Sequence, residues 1–155
     1  RPRVSNKAYR CIIKCGRLTL RKEMIILSSS KSIQEEMLEK KIWAVIGANN
    51  DSDKFGNIIY KKLKCEGYKV YPVNPMYEYV DGDRCYPNLS SLPELPEVLD
   101  MVVSPKRGKA FIEEAAALGI KNIWLQPGTC NREILDLLKS KQLTGVQACV
   151  LVALC

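Results

Sequence analysis

The sequence predicts an α/β fold, in which a mainly parallel sheet of about five strands carries helices on both faces. Two observations support this prediction. Short apolar runs alternate along the chain with longer segments whose apolar residues recur every three or four positions, as expected for strands that are each covered by a helix. Glycine and proline stand at most of the junctions between these segments, where they end regular structure.

The first half of this pattern begins with a short helix. Ser32 and Glu35 have the S-x-x-E spacing of a capping box, which marks a helix start. Residues 42–46 are the first predicted strand and residues 69–73 the second. Between them, apolar residues fall on one face and lysines mostly on the other, which predicts a helix that ends at Gly67.

A turn-rich stretch, residues 74–96, separates the two halves. Its four prolines exclude long helices and strands. A third strand is predicted at residues 99–103. The pair Ser104-Pro105 then has the composition of a helix start, with serine as the cap and proline at the first helical position. We expect this helix to end at Gly119.

The last part of the chain predicts a strand at residues 123–125, a helix whose apolar face includes Ile134, and a turn at Thr144-Gly145. The final run, residues 146–154, is almost continuously apolar. Such a run predicts a strand buried on both faces. Cys149 lies within it, so we expect this thiol to be packed in the core, with a mixed disulfide to a ligand thiol as the alternative.

The net charge of +7 is confined to one end of the chain. Residues 1–23 contain eight basic side chains and one acidic one, whereas the remaining residues contain 16 of each. We expect residues 1–30 to be a basic extension that is non-native or poorly structured, with a targeting or nucleic-acid-binding arm as the alternative, and residues 31–155 to form the domain. Because the domain is neutral, nucleic acid is expected to bind only through residues 1–23.

The composition also excludes several classes of site. The chain contains no histidine, so it has neither the usual zinc ligand spacing nor a Ser-His or Cys-His nucleophile pair. Its seven cysteines are scattered without a C-x-x-C pair, and no disulfide framework is expected. No apolar run approaches the roughly 18 residues of a membrane span. We therefore expect a cytoplasmic, non-catalytic protein with no membrane partner.

The candidate binding site lies at the carboxyl ends of the predicted strands. In an open parallel sheet this edge binds ligands, because free N–H groups and helix N-termini converge there. Residues 42–56 read as a strand, a phosphate-sized loop and a helix start, with the loop and helix start at residues 47–56. Lys54 and Lys106 each stand at the start of a predicted helix, where a cation opposes the helix dipole unless an anion lies nearby. One polyanionic ligand would relieve both.

The loop does not have the pattern of a dinucleotide site. The G-x-G-x-x-G spacing is absent, and the second strand ends in Val73-Asn74-Pro75 instead of an acidic residue that could bind a ribose hydroxyl. Both departures count against NAD(P). An NAD(P)- or other adenine-nucleotide-binding enzyme or redox sensor that uses the same cleft is kept as the alternative function.

Several motifs, taken in order, resemble those of the small stand-alone CoA-binding proteins, which are similar to the CoA-binding domain of the succinyl-CoA synthetase alpha subunit. The motifs are Val45-Ile46-Gly47-Ala48-Asn49, Lys54-Phe55-Gly56, residues 67–75, Gly82 with Tyr86-Pro87, residues 124–128, and Ala148-Cys149. The resemblance covers about residues 38–154. It implies a Rossmann-like three-layer α/β/α sandwich that binds the nucleotide end of coenzyme A.

The resemblance also implies which residues bind the cofactor. The loop after the first strand would face the pyrophosphate, the segment after the second strand would border the adenosine, and two further turns would complete the cleft. The predicted cofactor-binding residues are Gly47, Ala48, Asn49, Lys54, Phe55, Gly56, Val73, Asn74, Pro75, Val103, Ser104, Pro105, Lys106, Gln126 and Gly128. Where the synthetase has a glycine- and lysine-rich turn, this chain has Met76-Tyr77-Glu78, so a lysine contact there is lost.

The function expected from the sequence is therefore binding of coenzyme A or an acyl-CoA through its nucleotide and phosphate groups. No metal site is expected. The partner is a small molecule with phosphates, and the chain is expected to be able to form a homo-oligomer.

Overall fold

A computed structural model describes residues 32–155, so our predictions for residues 1–30 lie outside the described part of the chain. The helices are α1 (Ile33–Glu39), α2 (Phe55–Cys65), α3 (Pro105–Leu118), α4 (Arg132–Ser140) and α5 (Val150–Ala153). The strands are β1 (Ile42–Ile46), β2 (Lys69–Val73), β3 (Tyr79–Val80), β4 (Asp83–Arg84), β5 (Val98–Met101), β6 (Asn122–Leu125) and β7 (Thr144–Gln147).

Five strands form one parallel sheet in the order β2-β1-β5-β6-β7. The chain moves from β1 to β2 on one side and then crosses back to β5 on the other side of β1. The connections that leave β1 and β5 therefore diverge at the carboxyl edge of the sheet, which is where a ligand crevice forms in folds of this kind. The predicted α/β class is confirmed, and the fold is Rossmann-like.

Helices cover both faces of the sheet and make three layers. On one face, Trp43, Val45 and Trp124 pack against α2 and α5. On the other face, Ile46 and Leu99 pack against α3 and α4. Neighbouring residues of one strand point to opposite layers, as the pleat requires. Both layers bury their apolar residues almost completely, which fixes the carboxyl edge as a rigid platform.

The helix ends follow the sequence signals with one exception. Ser32 forms the predicted capping box with Glu35, and Gly119 ends α3 in the left-handed conformation with φ of 84°. Ser104 and Pro105 do begin α3, but the Ser104 side chain makes no capping hydrogen bond. Within residues 32–155, no helix is long and apolar enough to cross a membrane.

The prediction for the last apolar run is wrong. Residues 144–147 form the edge strand β7, so Thr144 and Gly145 belong to a strand and not to a turn. Residues 150–153 form the short helix α5, which packs on the α2 face of the sheet. An apolar run has no period that separates a buried strand from a buried helix. Here the chain leaves the edge of the sheet after four residues.

The cysteines also differ from expectation. Cys149 precedes α5 and is half-buried, so it is not part of a buried strand. Cys85, Cys130 and Cys149 are free. Cys65 and Cys155 each take part in a disulfide bond. The scattered spacing of the cysteines did not predict any disulfide.

Two glycines allow the β1–α2 loop to lie against its neighbours. Gly47 has φ of 95°, and a Cβ there would be 2.7 Å from Val103 Cγ1. A Cβ on Gly56 would overlap the Gly47 carbonyl oxygen and lie 2.6 Å from Asn49 Nδ2. The first turn of α2 can therefore approach the end of β1 because Gly56 lacks a side chain, and the segment after β5 can approach because Gly47 lacks one.

One acidic side chain is buried in the sheet. Asp100, on the central strand β5, is completely buried beside Val45 of β1 and Trp124 of β6. Its Oδ1 accepts a hydrogen bond from Gln126 Nε2 at 2.8 Å, whereas its Oδ2 has no partner within the described residues. Burial raises the pKa of Asp100 from 3.8 to about 7, and the bond from Gln126 opposes that rise.

We expect Gly56→Ala to lower the free energy of unfolding by about 2 kcal/mol, because the added methyl group must displace backbone atoms. Gly108→Ala is the matched control. It lies in helix α3, and its Cβ would meet the end of the flexible Met101 side chain at 3.0 Å and Val103 Cγ2 at the ordinary contact distance of 3.7 Å. Urea unfolding measures both variants, and an equal effect of the two substitutions would contradict the close approach at Gly56.

The pKa of Asp100 predicts a pH-dependent stability. The folded-state pKa lies above the unfolded value, so the native state binds the proton more tightly. Stability from this group is complete below about pH 4, falls as the pH rises to about 7, and is constant above. Each pKa unit is worth about 1.4 kcal/mol, so the change amounts to a few kcal/mol. In Asp100→Asn this decline should be absent, and parallel wild-type and variant curves between pH 4 and 8 would contradict the prediction.

Candidate functional site

The cleft at the carboxyl edge of the sheet consists of two adjoining lobes. The first, here called the apolar lobe, has a volume of about 560 Å³ and is lined by Phe55, Ile59, Pro127 and Cys149 among others. The second, here called the basic lobe, has a volume of about 620 Å³ and includes Asn74, Met76, Tyr77 and Arg107. The two lobes share the wall formed by Asn49, Lys54, Val102, Val103 and Ser104. Both volumes are typical of small-molecule sites.

Most of the residues predicted from the sequence line this cleft. They are Gly47, Asn49, Lys54, Phe55, Gly56, Asn74, Val103, Ser104, Gln126 and Gly128. Five others line neither lobe. Ala48 and Val73 are buried in the core, Pro75 follows Asn74, Pro105 is the first residue of α3, and the exposed Lys106 follows it.

The cleft also contains residues that the sequence reasoning did not select. Arg107 follows Lys106 at the start of α3. The structure shows that Arg107, and not Lys106, lines the basic lobe. Met76 and Tyr77 come from the turn after β2. Cys149 lines the apolar lobe because the chain turns into α5 there. The sequence indicates Met76 and Tyr77 as the turn after the second strand and Cys149 as an alternative partner of a ligand thiol, but these three are not among the binding residues that it predicts.

Asparagine side chains hold the loop between β1 and α2. Asn57 Nδ2 donates to the Asn49 carbonyl at 2.8 Å, and Asn74 Nδ2 donates to the Ala48 carbonyl at 2.9 Å. Asn49 Oδ1 accepts from the Asp51 amide at 3.0 Å. The loop is therefore tied to α2 and to the end of β2. Asn74, which stands where a dinucleotide site would have an acid, is used to fix backbone.

The two helices that begin at the cleft have unusual N-termini. Neither α2, after Lys54, nor α3, after Ser104, has a side-chain cap or an acidic residue in its first turn. By contrast, α1 and α4, whose first residues line neither lobe, are capped by Ser32 and Asn131 and carry glutamate in the first turn. The first N–H groups of a helix and its positive dipole end need an acceptor or an anion. At the cleft, the described protein supplies neither.

The charged residues of the basic lobe have the same sign, whereas the apolar lobe also includes the acidic Asp53. Lys54 and Arg107 are the charged residues of the basic lobe. Lys54 is largely exposed and lies 3.7 Å from Asp51, a distance at which the pair contributes little. Arg107 makes no ion pair with any residue in 32–155. Lys109 instead binds Glu133 of α4 at 2.8 Å and points away. The basic lobe is therefore suited to a negatively charged group.

A buried hydrogen-bonded group centred on Gln126 borders the apolar lobe. The Gln126 side chain connects Asp100 to the backbone N–H of Val150, which donates to Gln126 Oε1 at 3.2 Å. Thr129 Oγ1 donates to the Gln126 carbonyl at 2.7 Å and closes the turn after β6. Trp124 is a core residue whose indole N–H donates to the Ala148 carbonyl at 2.9 Å. No cluster able to hold a metal ion occurs within the described residues.

Comparisons with known proteins agree with this geometry. The family model described as CoA binding domain matches residues 41–154. The acetate–CoA ligase (ADP-forming) I of Archaeoglobus fulgidus is 30% identical over 66% of this chain. The match covers 16% of that enzyme, so this chain spans about a sixth of its length. The uncharacterized protein YneT of Bacillus subtilis is 29% identical over 81% of this chain and 93% of its own.

Solved structures have the same fold. A hypothetical protein from Pyrococcus horikoshii superposes with a TM-score of 0.72 and 33% identity, over 81% of this chain and 95% of that one. A Thermus thermophilus protein superposes with a TM-score of 0.70 and 27% identity, over 78% of this chain and 96% of that one. The family model covers most of this chain and all of the cleft-forming segments. The protein belongs to the CoA-binding domain family.

Proposed function

We propose that the protein binds coenzyme A or an acyl-CoA through its nucleotide and phosphate groups and does not transform it. One observation supports this most directly. Two uncapped helix N-termini, each with a cation beside it, meet at one cleft in a chain of the CoA-binding domain family. A pyrophosphate would accept from the free N–H groups and would neutralise Lys54 and Arg107 together.

The two lobes suggest how the ligand lies. The phosphates and the adenosine occupy the basic lobe, where the exposed Met76 and the partly exposed Tyr77 offer apolar surface to the adenine. The pantetheine arm follows the shared wall into the apolar lobe, between Phe55 and Pro127. This orientation brings the thiol or acyl end towards Cys149 and Gln126.

We also propose that the protein does not catalyse a reaction on this ligand. The chain contains no histidine, and the cleft has no nucleophile hydrogen-bonded to a base among the described residues. Cys149 is a free thiol without a basic partner there. The relatives named as ligases are much longer than this chain, and their activity is not carried over. A binding, sensing or carrier role remains.

Isothermal titration with coenzyme A, ADP, NAD and NADP tests the ligand. We expect coenzyme A to bind at least about tenfold more tightly than NAD or NADP, a difference of about 1.4 kcal/mol. The reason is that the chain has Asn74 where an acid would bind a ribose hydroxyl, and the Asn74 side chain is already bound to the Ala48 carbonyl. Clear binding of NAD without binding of coenzyme A would favour the alternative, a nicotinamide-dependent enzyme or redox sensor.

Charge substitutions test the basic lobe. Lys54→Ala and Arg107→Ala should each weaken coenzyme A binding about fivefold, roughly 1 kcal/mol, because each removes a point charge beside a phosphate. The loss should shrink as salt is raised from about 0.05 to 0.5 M, since exposed charges are screened. Lys109→Ala is the control, because it removes the same charge from α3 but Lys109 faces Glu133. Equal dissociation constants for all three variants would remove these cations from the site.

Three further expectations stay predictions. They are a cytoplasmic location, the ability to form a homo-oligomer, and contact with nucleic acid only through residues 1–23.

A further inference from the structure

The buried acid in the sheet has a defined connection to the ligand cleft. Asp100 is the one residue in the described chain with a buried side-chain oxygen that lacks a hydrogen-bond partner. A carboxyl group in such a place is costly, because burial disfavours its charged form and its second oxygen gains no bond in return. Its other oxygen is bound to Gln126, which lines the apolar lobe.

The direction of the hydrogen bonds in this group is fixed by the backbone. Val150 N–H can only donate, so the atom of Gln126 that faces it must be the acceptor Oε1. The amide then presents Nε2 to Asp100, and Nε2 can only donate. Asp100 Oδ1 must therefore be an unprotonated acceptor, and any proton that Asp100 binds must be on Oδ2. The three groups form a relay with one allowed orientation.

The relay joins three edges of the apolar lobe. Asp100 lies on β5, two residues before the cleft residue Val102. Gln126 begins the turn after β6, and Val150 follows Cys149 at the start of α5. Helix α5 has four residues, and no side chain caps it. The bond from Gln126 Oε1 to the Val150 amide therefore takes the place of a cap. It adds a contact at the first residue of α5 to those of Ala148, whose carbonyl accepts from Trp124 Nε1 and whose N–H donates to the Leu125 carbonyl.

We propose that Asp100 is a positioning residue for the ligand site: through the Gln126 amide it holds the start of α5, and with it the Cys149 edge of the apolar lobe, in the place that the pantetheine end of the ligand requires. The effect on binding rests on the proposed function. The relay itself does not, because its three groups are fixed in the protein without a ligand.

The surroundings of Asp100 leave Gln126 as its one polar contact among the described residues. On α2, Tyr60 donates to Asp83 at 2.6 Å and Lys62 pairs with Glu66 at 2.6 Å. On the α5 side the nearest titratable group is the Cys149 thiol, and β1 and β6 place Val45 and Trp124 alongside. No charged side chain contributes to the shift of the Asp100 pKa. A change at the Val150 amide near pH 7 therefore reports the ionisation of Asp100.

The backbone amide of Val150 reports on the relay without any ligand. In nitrogen-15 NMR spectra of the wild-type protein, its chemical shift should titrate near pH 7, because ionisation of Asp100 strengthens the bond from Gln126 and alters the bond that Val150 donates. In Asp100→Asn the bond to Gln126 is retained, since the asparagine oxygen still accepts, and the titration should disappear. A wild-type shift that is constant between pH 5.5 and 8.5, or an identical titration in Asp100→Asn, would overturn the relay.

Coenzyme A titration reports on the positioning. We expect Asp100→Asn to bind within about threefold of the wild type and Gln126→Leu to bind about tenfold more weakly, because only the second leaves Val150 N–H without its acceptor. The double variant should be no weaker than Gln126→Leu alone, as for residues that act through one contact. Additive losses, or wild-type affinity in Gln126→Leu, would overturn the positioning role. Failure of the wild type to bind coenzyme A would instead refute the proposed function, and the Val150 titration would still decide the relay.

Discussion

The contact on which the site depends is the approach of the first turn of α2 to the end of β1. Gly56 lies so close to the Gly47 carbonyl that it has no room for a side chain, and Gly47 has none because of Val103 and the Val102 carbonyl. This contact sets the direction of α2 and points its N-terminus at the crevice between the loops that leave β1 and β5. Asn57 and Asn74 then fix the same loop from two sides. The position of the cleft is thus determined by how the backbone packs.

The electrostatics of the cleft differ from those of the rest of the molecule. Helices α1 and α4 begin with a side-chain cap and an acid, which stabilise the free N–H groups and the dipole. At the cleft both features are missing and cations take their place. Such an arrangement lowers the stability of the empty protein and raises its affinity for an anion. Natural proteins accept such losses mainly at functional sites.

The sequence predicted the parts of the fold that depend on local pattern. Strands β1 and β2, the Ser32 capping box and the Gly119 helix end were found because period and end signals are local. The last run failed because a stretch of apolar residues has no period.

The polar interior of the site could not be predicted in the same way. Asp100 and Gln126 are 26 residues apart and meet only because β5 and β6 are neighbours in the sheet. Arg107 and Lys106 are adjacent in sequence, and only the packing of α3 decides which of the two faces the cleft. Side chains of this kind are determined by strand order and helix rotation, which a single sequence does not specify.

A protein built in this way gains stability from its ligand. The empty cleft leaves helix N–H groups without acceptors, Arg107 without an ion pair among the described residues, and Lys54 with only a weak pair to Asp51. An anionic ligand supplies both, and it binds the native state alone because the unfolded chain has no such cleft. Its binding energy therefore adds to the folding energy in proportion to the logarithm of ligand concentration. The same groups that weaken the empty domain thus link its stability to the concentration of an anionic ligand.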